Sequence, residues 1–363
     1  MEMSGKSERM RGKSTGNQRV VTIYDIAKQA GVSKSTVSRV ITGEGYVHPD
    51  TRAVVERAIE DFRFNPNRSA RNLSNGSETR IALVYSNPSV AYFTELLMGA
   101  LESSSRNGAH LIVEKCPADN LGVAFNSVRS LAKAGSNGII LATPLSEQGK
   151  LIKELTEQGV AVVGIATGRF RDDVSCVDID NYKAAYKMVS YLISLGHEKI
   201  GFIQGHPDIA SSELRFCAVK DALRDAGIGE PVVAHGRNSY RSGLDAAKQI
   251  LSGRKKVTAI FANNDDMASA AMSMAHRRGL RVPQDLSVVG FDDTIAGTTW
   301  PELTTIRQGI ADIASTAIDL AVSNVRLIRS GAAQEISNRL IQHNLVIRES
   351  ACPPQQGKRA RIR

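Results

Sequence analysis

VTIYDIAKQAGVSKSTVSRVI, residues 21–41, reads as two short helices joined by a tight turn. Thr22 and Asp25 stand at capping-box spacing ahead of an apolar series, Ile23, Ile26, Ala27 and Ala30, that lines one face of a helix. Gly31 can take the left-handed conformation that ends such a helix, and Ser33 is a natural N-cap for the next. In the second helix Val37, Val40 and Ile41 make the inward stripe, which turns Lys34, Ser35, Ser38 and Arg39 outward. A third amphipathic helix, roughly 50–63, brings Val54, Val55, Ala58, Ile59 and Phe62 inward to close a three-helix core. This pattern is a helix-turn-helix, a device for reading DNA; the plainer alternative is a small helical bundle with a solvated charged face.

Charge and length agree with a DNA-binding head on a larger body. The chain has 363 residues and a net charge of +9, and at ~150 residues per domain it should hold two or three. Residues 1–80 carry 14 Lys and Arg against 9 Asp and Glu, the last 13 residues carry four cations and no acid, and everything between them sums to zero. A basic head suits phosphate neutralisation, because each cationic contact releases condensed counterions. Residues 1–19 are polar and read as a disordered basic tail, as do residues 349–363.

From Arg80 onward short runs rich in Ile, Val and Leu alternate with amphipathic segments. RIALVYS, HLIVEK, NGIILA and VAVVGIA form one set, and KIGFIQG, PVVAHG, VTAIFAN and LSVVGFDD a second after Asn181. Such alternation predicts an α/β fold of parallel sheets with helices on both faces, here in two successive lobes. In open sheets of this kind small ligands sit at the carboxyl ends of the strands.

The run from Val21 through RIALV at 80–84 resembles the head of LacI-type transcription factors, the family of the lactose and purine repressors. LISLGHEKIGFI at 192–203, VTAIFANNDDMASAAM at 257–272, GLRVPQDLSVVGFDD at 279–293 and PELTTIRQ at 301–308 carry the resemblance on to about residue 348. It implies a helix-turn-helix domain at 20–64, a hinge helix and linker at 65–79, and a periplasmic-binding-protein-like core at 80–348. Lobe 1 would then hold about 80–178 and 309–332, and lobe 2 about 181–305 and 333–347. The implied partners are a pseudo-palindromic operator, a second copy of the chain and a small effector, with no cofactor.

Carried over residue by residue, the resemblance assigns major-groove reading to Lys34, Ser35 and Arg39. Further DNA contacts fall to Thr22, Tyr24, Ser33, Thr36 and Ser38 around them, and to Asn67, Arg68 and Ala70 in the hinge. Leu73 matches the leucine that such hinges push into the minor groove, where an apolar wedge kinks the duplex. Pro66, four asparagines and Gly76 make that stretch marginal as an isolated helix, and an ordinary polar linker is its alternative reading.

In the core the resemblance assigns Asp265 to the effector's hydroxyls and Arg215 to the cleft. Their alternatives are a helix N-cap and a surface ion pair. Ser86, Tyr92, Phe93 and Trp300 are further effector candidates, Phe93 or Trp300 as a stacking partner for a sugar ring or else as core. Carboxylate and guanidinium together suit a polyhydroxylated ligand, so a sugar is the expected effector, with a purine or other metabolite as the alternative. FCAV after Arg215 and IATG near residue 165 depart from the family pattern, which leaves the ligand's identity open.

Other function classes find less support. His206, Asp208 and Ser211 lie close together in the sequence, but no nucleophile elbow, metal-spaced His pair or Walker loop accompanies them. An enzyme is therefore not expected. Cys116, Cys176, Cys217 and Cys352 lack the spacing of a zinc site or a disulfide framework. A sugar-binding transport protein would share the two-lobed core but needs a secretory signal, and no apolar run of that kind or of membrane length is present. The protein is expected in the cytoplasm, on the nucleoid, without membrane contact.

Overall fold

The computed structural model describes residues 22–42, 46–62, 78–117, 120–206 and 209–355. The chain divides into two compact units, residues 1–77 and 78–363. In the first, α1 (Ile23–Ala30), α2 (Lys34–Thr42) and α3 (Pro49–Asp61) enclose a core of Ile26, Ala27, Val37, Val40, Val55 and Ala58. The Asp25 carboxylate accepts from the Thr22 N–H at 2.9 Å and from its hydroxyl at 2.7 Å, which anchors the start of α1. Gly31 ends that helix at φ +65°, and the Ser33 hydroxyl accepts from the Thr36 N–H at 3.2 Å to begin α2. Helix α3 starts and stops near its expected ends, but Val54 and Phe62, expected inside, are exposed. A stripe of Val55, Ala58 and half-buried Ile59 is enough for so small a core.

The second unit contains two parallel sheets. Strands β1 (Arg80–Tyr85), β2 (His110–Lys115), β3 (Gly138–Ala142), β4 (Ala161–Ile165), β5 (Ser175–Asp178) and β11 (Asn338–Leu340) form one of order β11-β5-β4-β3-β1-β2. Helices α4 (Val90–Asn107), α5 (Leu121–Lys133) and α6 (Gly149–Glu157) alternate with its strands. The other sheet is β7-β6-β8-β9, built from Ile200–Gln204 (β6), Val232–His235 (β7), Ala259–Ala262 (β8) and Ser287–Val289 (β9). Its helices are α7 (Asn181–Ser194), α8 (Ala210–Asp225), α9 (Tyr240–Ser252) and α10 (Asp265–Arg277). Central strands such as Ala161–Ile165 and Ile200–Gln204 are buried throughout, as expected when both faces are covered.

The chain then threads back through both lobes. Helix α11 (Ile310–Arg329) packs on α4, where Asp319 accepts from Ser103 at 2.8 Å and pairs with Arg106 at 3.1 Å. A short antiparallel pair, β10 (Thr305–Arg307) with β12 (Asn344–Val346), lies near the crossing. One apolar cluster runs unbroken from Ile81 and Leu83 of the first sheet to Phe202 and Phe261 of the second.

Two sequence expectations change here. Residues 333–347 were assigned to the second lobe, yet Asn338–Leu340 extends the first lobe's sheet beside Ser175–Asp178. Residues 349–355 are part of the fold and not of a disordered tail. The Val288 N–H donates to the Ser350 carbonyl at 2.9 Å, the Cys352 N–H donates to the Ser287 hydroxyl at 3.0 Å, and Ser350 is fully buried. Polar composition misled the reading, because this segment lies along the edge of β9 and satisfies its backbone groups there.

Candidate DNA interface and ligand cleft

On the head, Lys34, Ser35, Ser38 and Arg39 are exposed along α2, opposite the buried Val37 and Val40. Tyr24 and Thr22 are exposed nearby, Thr36 is half-buried, and the Lys34 ammonium stands 5.0 Å from the Tyr24 ring centroid. The Ser33 hydroxyl lies 2.7 Å from that of Ser35 and 2.9 Å from that of Thr36, tying the start of α2 into one polar cluster. A helix of this size with its apolar stripe turned inward presents hydroxyl, ammonium and guanidinium groups outward, the chemistry that phosphates and base edges accept. Asn67, Arg68, Ala70 and Leu73 lie outside the described residues.

In the core a cleft of about 460 Å³ opens between the lobes, at the carboxyl ends of their strands. Ser86, Asn87 and Tyr92 line it from the first lobe, and Arg215, Asn263 and Asp292 from the second. Arg215, on α8, is buried, with its ring contact to Phe291 at 3.5 Å. Its Nε donates to Asn181 Oδ1 at 3.0 Å and its Nη1 to the Asn263 carbonyl at 2.7 Å, so the guanidinium is fixed in direction. Burial pulls its acidity toward the neutral form, against the nearby carboxylates of Asp292 and Asp178.

Among the described residues that line this cleft, Asp292 is the acid. It follows β9 at φ +119°, a backbone conformation that non-glycine residues rarely adopt. The crossing strand holds it there: the Asp292 N–H donates to the Ile306 carbonyl at 2.8 Å. Its neighbour Asp293 is pinned by Arg307 at 2.6 Å and Arg348 at 2.7 Å. Among the described residues only Gln308 donates to the Asp292 carboxylate. Burial pushes that carboxyl well above the usual range while Arg215 opposes the shift. The Tyr92 phenol is likewise raised, first by burial and then by Asp292 and Asp178.

Asp265 does not occupy the place expected of it. It is fully buried at the start of α10, where it accepts from the Thr305 hydroxyl at 2.6 Å and the Thr294 N–H at 2.9 Å, and it does not line the cleft. Burial pushes its carboxyl up to about 7 despite these bonds. Its work is internal: it ties α10 to the loop after Asp293 and to β10. The cleft carboxylate stands 27 positions further on, in the phrase FDD at 291–293. The rule of strand carboxyl ends admitted both acids, and only the packing separates them.

The aromatic candidates also divide. Tyr92 lines the cleft, Phe93 stacks on Tyr85 with centroids 4.0 Å apart, and Trp300 is 89% exposed beside Pro301 on a different groove. Neither Phe93 nor Trp300 lines the cleft, so no stacking partner comes from them. Ser86 does line it, and its hydroxyl donates to the Thr143 carbonyl at 3.0 Å. Sequence reasoning passed over Asn263, Asp292 and Gln308, residues whose amides and carboxylate follow strands β8, β9 and β10.

Among the described residues no group of three or more His, Cys, Asp or Glu side chains is arranged to hold a metal ion, and all four cysteines are free. No described helix is long and apolar enough to cross a membrane.

Residues 22–67 match the family model described as bacterial regulatory proteins, lacI family, and residues 189–351 match the periplasmic binding protein-like domain. The chain is 33% identical over 302 residues to the HTH-type transcriptional regulator AscG of Escherichia coli (strain K12), covering 81% of this chain and 89% of that one. A solved complex of the transcriptional regulator CelR with cellobiose is similar at a TM-score of 0.67 and 29% identity, over 91% of this chain and 99% of CelR. A lac repressor dimer bound to operator and the anti-inducer ONPF is similar at a TM-score of 0.66 and 27% identity, over 92% of this chain and all of the other. With this head, this cleft and these relatives, the chain belongs to the LacI family of DNA-binding transcriptional regulators.

Proposed function

We propose that the protein is a repressor that binds a near-palindromic operator as a homodimer and changes its affinity when a sugar enters the cleft. Lys34, Ser35 and Arg39 read base edges, and Thr22, Tyr24, Ser33, Thr36 and Ser38 contact the backbone or frame the reading face. Asp292 and Arg215 hold the sugar. Ser86 and Tyr92 stand on the opposite wall.

The observation that carries the effector class is that buried Asp292 and buried Arg215 line the same cleft. A carboxylate with one donor among the described residues and a guanidinium with N–H groups to spare, both buried in the cleft wall, call for a ligand that both donates and accepts. Vicinal hydroxyls do both. Amides at Asn87, Gln148, Asn238 and Gln308 add neutral donors and acceptors around the same space, and the volume suits a mono- or disaccharide. The cellobiose complex of CelR, a relative with the same fold, is consistent with this class.

A thermal-shift screen of mono- and disaccharides, purines and nucleosides against the purified protein tests the reading. A ligand at a hundredfold excess over its Kd stabilises by ~2.7 kcal/mol, so a sugar effector will raise the melting temperature in proportion to the logarithm of its concentration. A purine or nucleoside that does so while every sugar fails would replace the sugar by the alternative effector.

A further inference from the structure

Two hydrogen bonds join the lobes beside the cleft without touching the space a ligand fills. On one side Ser89, the N-cap of α4 in the first lobe, donates its hydroxyl to the Asp266 carboxylate of α10 in the second. Ser89 is buried, and the same hydroxyl accepts from the Tyr92 N–H, so this bond reaches a helix whose first turn lines the cleft. On the other side Glu147, in the turn after β3, accepts from the Ala210 N–H at 3.3 Å. That amide opens α8, the helix that carries Arg215. The Thr143 hydroxyl donates to the same Glu147 oxygen at 2.8 Å and fixes its direction.

A third contact shows how closely the lobes approach. Gly168, in the first lobe after β4, has φ +69°, and a Cβ placed there would lie 2.8 Å from Ala210 Cβ and from the Ser211 nitrogen. The Gly168 N–H donates to Asp178 Oδ2 at 2.7 Å, so this backbone cannot easily retreat. All three contacts adjoin residues that line the cleft: Pro88, Gln148, Ile209 and Ser211.

We propose that Ser89–Asp266 and Glu147–Ala210 form an interlobe clasp that keeps the effector cleft closed in the ligand-free protein. Its members are positioning residues: they set the closed-to-open ratio of the lobes, and through it the accessibility of Arg215 and Asp292, while touching no ligand. The clasp is independent of the effector's identity. A ligand that enters must wait for the lobes to part.

The test uses the full chain without ligand. Nitroxide labels at Val123→Cys on α5 and Tyr240→Cys on α9, both exposed positions flanking the cleft, report the interlobe distance by double electron–electron resonance. Cys217 and Cys352 are replaced by Ser, and unlabelled protein is added in excess. The expected wild-type result is one short, narrow distance. Glu147→Ala and Asp266→Ala each remove one bond and are expected to raise the open fraction about five- to tenfold, with a longer-distance population appearing. Glu147→Gln and Asp266→Asn keep an acceptor oxygen and are expected to restore the short distance. Gly168→Ala, which drives a methyl group against Ala210, is expected to open the lobes with both bonds' partners in place. Circular dichroism confirms that each variant is folded. A broad or long distance in the ligand-free wild type overturns the proposal, as does an unchanged distance in folded Glu147→Ala and Asp266→Ala, or equal opening in the Ala and the conservative variants.

Discussion

The reading head and the cleft use residues drawn from very different distances along the chain. Ile26, Val37 and Val55, which set the faces of all three head helices, fall within 30 residues. Ser86, Arg215, Asp292 and Gln308, which meet in the cleft, are spread over more than 220. In the head a residue's job follows from its place on a helix, since facing outward at α2 is a matter of 3.6-residue periodicity. In the cleft a residue's job depends on which of several strand ends it follows and on what has already claimed its hydrogen bonds.

Asp292→Ala tests the cleft side of that contrast and carries the largest expected effect. The substitution leaves two ligand hydroxyls without their acceptor in a desolvated cleft, at ~1–3 kcal/mol each, so effector affinity should fall about a hundredfold or more while operator binding persists. Operator fluorescence anisotropy titrated with the effector from the screen reads both quantities. Retained sensitivity to effector at wild-type concentrations would remove Asp292 from the site and return the question to Asp265.

Asp265 itself should behave as a structural group with a distinct pH signature. Its folded carboxyl titrates at about 7, above the unfolded value of ~3.9, so in that window the native state holds more protons than the unfolded chain. Stability is then greatest below about pH 4 for this group and declines as pH rises toward 7, on the order of a few kcal/mol. Urea unfolding across pH 4–7 should show this decline in the wild type and a flatter profile in Asp265→Asn. Equal profiles in the two proteins would mean that another buried acid, Asp292 first among them, dominates the slope.

On the head, Arg39→Ala should weaken binding to the selected operator by ~1–3 kcal/mol and leave binding to random DNA nearly unchanged. An equal loss on both would make Arg39 a phosphate contact. The smallest effect belongs to Trp300→Ala. Trp300 lies away from the cleft, so effector affinity should stay within experimental error of the wild type, measured by the same anisotropy titration. A clear loss would show that the groove beside Pro301 communicates with the cleft.

The clean reading of the head and the partial reading of the cleft have one cause. Thr22 with Asp25, Gly31 and Ser33 announce helix ends through bonds to groups within four residues, and the structure contains those very bonds. The strands of both sheets announce themselves through apolar runs, because a strand covered on both faces excludes polar side chains. The short strands at 175–178, 305–307, 338–340 and 344–346 carry no such run, and each gains its place only by lying beside a distant partner. Residues 349–355 look like a tail for the same reason.

By itself, then, the amino-acid order determined that a helix-turn-helix precedes two α/β lobes and that α2 presents Lys34, Ser35, Ser38 and Arg39, while the family resemblance put Arg215 in the cleft with a carboxylate. Tertiary structure alone decided which carboxylate. ANNDD and FDD each put an acid after a buried strand, at Asp265 and Asp292. Thr305 and Thr294 satisfy the first, which turns it into part of the core. The crossing strand bends the backbone at Asp292 to φ +119° and, with Asp293 held by Arg307 and Arg348, leaves its side chain beside Arg215 in the cleft. A buried acid acts on a ligand only if the protein leaves part of its hydrogen-bonding capacity unmet, and that depends on groups brought from elsewhere in the chain.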